Sequence, residues 1–192
     1  MANQPNIMDV DWKAIPAPVD DGDAAHLPGT AVPPMALRAT DGGSVTLAAL
    51  TGRTVVFAYP RTGEPGKIAP VDDWDMIPGA RGCTPQTCAF RDLFAELKAA
   101  GADQVFGLST QSTTYQAEMA SRLHLPFAVL SDEALELTRA LNLPTMQVAG
   151  MTLIKRMALI IDDGRISHVF YPVFPPDRNA ADVLEWLKAN RR

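Results

Sequence analysis

Only two cysteines and three histidines occur among the 192 residues, and that shortage excludes several chemistries. A structural zinc site takes about four Cys or His ligands, whereas His26, His124 and His168 are scattered singles, none beside the cysteines in sequence. No run of Lys and Arg supplies a phosphate-binding stripe. Basic residues cluster only as Lys155-Arg156 and Arg191-Arg192, and the net charge is -5, which argues against nucleic acid. No stretch approaches the roughly 18 to 20 apolar residues of a membrane span. The start, MANQPNIMDVDW, lacks a basic segment followed by a long apolar run, so it does not read as a secretory signal. The expected compartment is the cytoplasm, where a reducing thiol pool disfavours a structural disulfide. A close cysteine pair there points to metal or redox chemistry.

What is present suits one soluble domain. Hydrophobic residues make up 47% and charged residues 20% of the chain, and its length allows one well-buried core with some surplus. Residues 1–26, rich in Asp, Ala and Pro, read as an N-terminal extension, extended or disordered, ahead of a domain over residues 27–192. Within that domain Val45-Thr46-Leu47 follows an Asp41-Gly42-Gly43 turn, and Thr54 to Tyr59 is a β-branched, aromatic run expected as a central strand. Residues 61–79, punctuated by Gly63, Pro65, Gly66, Pro70, Pro78 and Gly79, read as a loop insertion.

A helix is expected next, with Phe90, Leu93, Phe94 and Leu97 on one face and Gly101 to stop it. Strand Val105 to Ser109, helix Thr114 to Leu123, strand Ala128 to Leu130 and a helix from a Ser131 cap through Leu141 follow. Residues 142–154 are ambiguous between helix and strand. Two apolar runs around Asp162-Asp163-Gly164 make a hairpin, and a last helix spans about 179–188. The order β-α-β-α-β-α then β-β-α implies a mixed central sheet with helices on both faces, an α/β chain whose closing half resembles a thioredoxin-like fold.

Both cysteines lie in GCTPQTCAFRD, residues 82–92. A buried structural thiol is one reading for Cys88. Redox chemistry is the other. Cys83 follows Gly82 at a loop-to-helix junction, where unpaired N–H groups and the positive helix end favour a thiolate. A thiolate attacks a peroxide O–O bond and becomes a sulfenic acid, which a second thiol converts to a disulfide.

The segment GCTPQTCAFRD resembles the active-site motif Gly-Cys-Thr-x-x-x-Cys-x-Phe-Arg-Asp of the peroxiredoxins, in particular the bacterioferritin-comigratory or Q-type branch. The resemblance runs from about Pro33 to Leu187. It includes the strand ending in Tyr59-Pro60, Leu125-Pro126-Phe127, Leu130-Ser131-Asp132, and Arg156 to Asp162 with its Gly164 turn. It implies a thioredoxin-like fold and a thiol-dependent peroxidase that needs no cofactor or metal. Cys83 matches the peroxidatic cysteine, Cys88 the resolving cysteine of an intrachain disulfide, and Arg156 the arginine that polarises peroxide. The family pattern Pro-x-x-x-Thr-x-x-Cys is interrupted, with Ala80 at the Thr position. Thr62, after Pro60, is the candidate for the missing hydroxyl, and Thr84 a weaker one. The implied partners are a peroxide and a thioredoxin or glutaredoxin-type reductant, with no nucleic acid or membrane, for a monomer or homodimer. Two other functions stay open: a disulfide oxidoreductase of the thioredoxin kind, which would use Cys-x-x-Cys, and a redox-sensing domain.

Overall fold

Six consecutive residues, Arg53–Ala58, are all buried, as a strand covered on both faces must be. Alternation sends Val55, Phe57 and Tyr59 into one apolar cluster and Val56 and Ala58 into another. The computed structural model describes residues 10–64, 66–67 and 69–191. Residues 1–9 of the expected lead-in, Pro65 and Ile68 of the insertion, and Arg192 lie outside the described residues.

The strands are β1 (Leu37–Ala39), β2 (Ser44–Val45), β3 (Arg53–Ala58), β4 (Gln104–Ser109), β5 (Val129–Ser131), β6 (Thr145–Val148), β7 (Met151–Ile154), β8 (Met157–Asp162) and β9 (Arg165–Phe170). The helices are α1 (Cys83–Asp92), α2 (Phe94–Ala99), α3 (Thr113–Arg122), α4 (Glu136–Ala140) and α5 (Asn179–Ala189). A seven-stranded sheet has the order β2-β1-β5-β4-β3-β8-β9. Its β3-β4 and β4-β5 pairs are parallel and the rest antiparallel. This is the mixed α/β sheet expected of a thioredoxin-like fold.

Several boundaries differ from the sequence reading, each for a local reason. The ambiguous residues 142–154 contain a separate hairpin of β6 and β7. The helix expected from Ser131 begins only at Glu136, because the Asp132 carboxylate accepts from Leu137 N and Thr138 N at 3.1 and 2.7 Å and leaves the intervening residues as a turn. The single long helix expected through Leu97 is two, interrupted at Leu93. Leu47, expected to extend the strand after Val45, instead opens a 3-10 turn, Leu47–Ala49. The β8-β9 turn forms as the Asp-Gly pair dictates, with Asp163 and Gly164 both at positive φ.

Sheet and helix meet at the cysteines. Phe57 of β3 stacks on Phe90 of α1, with ring centroids 4.1 Å apart and planes inclined by 5°. That contact fixes α1 across the end of the strand from which Tyr59 and Pro60 emerge. Tyr59 is fully buried and donates to Gln116 of α3 at 2.8 Å. None of the helices among the described residues is long and apolar enough to cross a membrane.

Candidate active site

Cys83 is the first residue of α1, and Gly82 before it has φ 103°, in the left-handed region. Glycine has no side chain with which to cap the helix, so the free N–H groups of the first turn remain beside Cys83. Pro85 costs nothing there, since its missing N–H would have had no helical acceptor. Thr87 returns its hydroxyl to the Cys83 carbonyl at 2.8 Å. Both cysteines are free thiols in this structure, each 3% exposed.

Arg156, immediately before β8, is 2% exposed and donates from Nη2 to Cys83 Sγ at 3.3 Å. The same nitrogen lies 3.1, 3.3 and 2.9 Å from the carbonyls of Gly79, Ala80 and Arg81. Nη1 donates to Gln86 Oε1 at 2.5 Å, and Nε is buried with no partner. All of these oxygens belong to neutral groups. A guanidinium stays charged at any ordinary pH, and of the atoms it hydrogen-bonds the Cys83 sulfur is the one able to carry a negative charge. Desolvation strengthens that attraction.

Gln86 and Asn179 were not singled out from the sequence. Gln86, fully buried, accepts from Arg156 and donates from Nε2 to Asn179 Oδ1 at 2.9 Å, tying α1, α5 and the Arg156 segment together. A signal existed for Gln86: three residues after Cys83, it shares that cysteine's helix face. Asn179, 93 positions away in the chain, had none.

Cys83, Thr62 and Thr84 line one cleft of about 620 Å³, with Trp74 and Pro70 of the insertion, Arg61, Arg122 and Tyr115 also on its walls. Thr62 is 1% exposed, and its hydroxyl and backbone N–H both point to Gln111 Oε1, at 3.1 and 2.8 Å. Its carbonyl accepts from Gln111 Nε2 and the Tyr115 hydroxyl at 3.0 and 3.1 Å. The structure thus brings Thr62 to the cleft and engages its hydroxyl with Gln111. Arg156 meets the sulfur directly. Cys88 lies five residues, about 1.4 turns, further along α1. Burial pushes its thiol pKa up, partly opposed by Arg91.

The Redoxin family profile matches residues 27–184. A peroxiredoxin Q from rice (Oryza sativa subsp. japonica), described as chloroplastic, is 31% identical over 163 residues, covering 84% of this chain and 66% of the relative. The chain therefore spans just under two thirds of that relative's length. Peroxiredoxin Bcp of Escherichia coli is 34% identical over 165 residues, 83% of this chain and 94% of that one. Among solved structures, the peroxidoxin BcpB of Mycobacterium tuberculosis superposes with a TM-score of 0.69 at 26% identity, covering 87% of this chain and all of its own. Xanthomonas campestris peroxiredoxin Q shares the fold, with a TM-score of 0.68 at 24% identity and 87% and 98% of the two chains covered.

Proposed function

The chain belongs to the Redoxin family, among relatives of the peroxiredoxin Q and Bcp kind, and we propose that it is a thiol peroxidase working through Cys83. The observation that carries this reading is the buried Arg156 guanidinium 3.3 Å from the Cys83 sulfur at an uncapped helix start. Thiolate at Cys83 attacks one peroxide oxygen. The O–O bond breaks, the S–O bond forms, and the other oxygen leaves as water or an alcohol after taking a proton. Cys83 becomes a sulfenic acid. Arg156 holds the thiolate and offers its N–H groups to the oxygen on which charge develops. Cys88, as its thiolate, then attacks the Cys83 sulfur; the S–O bond breaks, the S–S bond forms, and the departing hydroxide leaves as water with the proton Cys88 gave up. A dithiol reductant of the thioredoxin or glutaredoxin type restores both thiols, and neither metal nor cofactor takes part.

That second step requires motion. Residues five apart on regular helix have Cα atoms roughly 8 to 9 Å apart, and a disulfide usually needs less than about 7 Å. Both cysteines are on α1, so its first turns unwind before the sulfurs meet. Amide protons over residues 83–89 are then expected to exchange faster in the oxidised protein. The Gln86 N to Gly82 O bond, 3.0 Å long, is the first to break.

Resolution within one chain suits a monomer and is compatible with a homodimer, and two free thiols suit the reducing cytoplasm. Peroxide consumption coupled to a thioredoxin system, with mass analysis of the cysteines, tests the assignment. Cys83→Ser is expected to abolish turnover, while Cys88→Ser reacts once and accumulates sulfenic or over-oxidised Cys83. Full turnover by Cys83→Ser overturns it.

A further inference from the structure

The family match begins at residue 27, yet residues 10–23 run across the elements that carry the reacting groups. Val10 lines the cleft that holds Cys83. Trp12 opens a 3-10 turn, Trp12–Ala14, capped by the Asp11 carboxylate on Lys13 N at 3.1 Å. Its indole donates from Nε1 to Asp177 Oδ2 at 3.0 Å and meets the Phe174 ring edge-on, centroids 6.1 Å apart. At the other end of the segment, Asp21 and Asp23 accept from Lys155 Nζ at 2.5 and 3.1 Å, and the Tyr171 hydroxyl donates to Asp21 at 2.7 Å. Between these anchors, Pro18 and Val19 wall a cavity of about 170 Å³ together with Gly79, Lys155 and Arg156. The segment is thus tied at one end to the neighbour of Arg156 and laid at the other against the start of α1.

The contact at Gly82 decides what this does. A Cβ on Gly82 would lie 2.5 Å from Pro176 Cγ and 2.8 Å from Trp12 Cη2, so the indole rests on the backbone of the residue just before Cys83. Gly82 also supplies the carbonyl that accepts the first helical bond of α1. Unwinding must break that bond and rotate the dihedrals on either side of it, in space filled by Pro176 and the Trp12 ring.

We propose that Trp12 is a positioning residue for the resolving step, keeping the start of α1 folded until its ring lifts from Gly82. The inference rests on the peroxidase reading above. In the step it controls, the S–O bond of the Cys83 sulfenic acid breaks, the S–S bond to Cys88 forms, and the hydroxyl leaves with the Cys88 proton as water. No other oxidant or reductant is consumed. The Trp12 hydrogen bond to Asp177 and its ring contacts with Phe174 and Gly82 involve neither the Cys83 sulfur nor Arg156, so the attack of Cys83 on peroxide is expected to be unchanged. A seated Trp12 lengthens the life of the sulfenic acid, and a second peroxide can then carry it to the sulfinic acid. Trp12 accordingly sets how much peroxide the protein tolerates before it is over-oxidised.

Rapid mixing of the full chain with hydrogen peroxide, quenching with a thiol-alkylating reagent and mass analysis resolves sulfenic acid, disulfide and sulfinic acid. In Trp12→Ala the disulfide is expected to form about three to ten times faster, the scale of a single hydrogen bond or ring contact. Asp177→Asn and Trp12→Phe, which each keep a ring on Gly82, should give smaller increases. The sulfinic fraction per turnover falls in the same order, while the rate of the first oxidation does not change. Equal shifts in both steps, or an unchanged disulfide rate in Trp12→Ala and Asp177→Asn alike, overturn the role. Wild-type Cys83 that never becomes oxidised overturns the peroxidase reading itself, and this inference with it.

Discussion

Gln86 Oε1 accepts from Arg156 Nη1 at 2.5 Å, so the helix bearing both cysteines also holds the cation that faces the first of them. When α1 unwinds, that bond cannot persist in place. In the proposed cycle the cation thus loses that support only after the sulfenic acid has formed.

Replacing this support should affect stability and chemistry together. Gln86→Leu leaves Arg156 Nη1 and Asn179 Oδ1 without their buried partner, which costs about 1–3 kcal/mol. Urea unfolding of the reduced protein should report that loss. The rate of Cys83 oxidation should fall by about tenfold as Arg156 drifts, an order of magnitude corresponding to about 1.4 kcal/mol. Gln86→Glu supplies the same acceptor geometry with a charge that competes for Arg156. An oxidation rate in Gln86→Glu above that of wild type would contradict a supporting role for Gln86.

Arg156→Met removes the N–H groups that face the sulfur and the charge that accompanies them. Loss of a preorganised donor of this kind typically costs about 100-fold or more in rate. Stopped-flow oxidation of Cys83 by hydrogen peroxide should show a slower reaction. Arg156→Lys should recover part of the charge effect without the two-pronged geometry. An unchanged oxidation rate in Arg156→Met would remove Arg156 from the chemistry.

The two chemical steps should differ in pH dependence. Burial raises the Cys88 thiol pKa, which favours the protonated form in the folded helix, whereas the attacking species is the thiolate. Thiolate at Cys88 therefore increases as pH rises, and the rate of disulfide formation should climb through and above about pH 8.5, the ordinary thiol range. Pre-oxidised protein jumped to a series of pH values isolates this step. A disulfide rate that declines with rising pH would show that Cys88 is not the attacking thiol.

Trp74 and Pro70 bring the insertion onto the cleft wall beside Cys83, and Met76 of the same insertion is 57% exposed. Shortening residues 63–78 to a brief Gly-Ser turn should change the kinetics with bulky hydroperoxides, or with thioredoxin as reductant, more than with hydrogen peroxide. Steady-state assays with all three provide the comparison. Equal effects would reduce the insertion to a passive surface loop.

What could be read along the chain was local. The apolar run of β3, the Asp-Gly turn before β9 and the helix bearing Phe90 are each written in neighbouring residues, because hydrogen bonding and burial in a strand, turn or helix follow short periods. The cysteine motif is equally local, and Arg156 was reached through its place in a recognised pattern of segments. The long helix expected through Leu97 and the early start expected for α4 differ at Leu93, whose φ of -98° and ψ of 10° leave helical geometry, and at Asp132, where a side-chain cap outweighs periodicity.

The site depends on pairs far apart in sequence. Packing of β3, β8 and α1 around the Phe57-Phe90 stack brings Arg156 to Cys83, and only the docking of α5 gives Gln86 its second partner in Asn179. Residues 10–26, which the sequence marks merely by Asp, Ala and Pro, are tied to the start of α1 only in the folded chain, where Trp12 lies against Gly82. A single residue type carries the information that a thiol is available. Its neighbours across the fold supply the charge and burial that determine reactivity, and those are properties of tertiary contact.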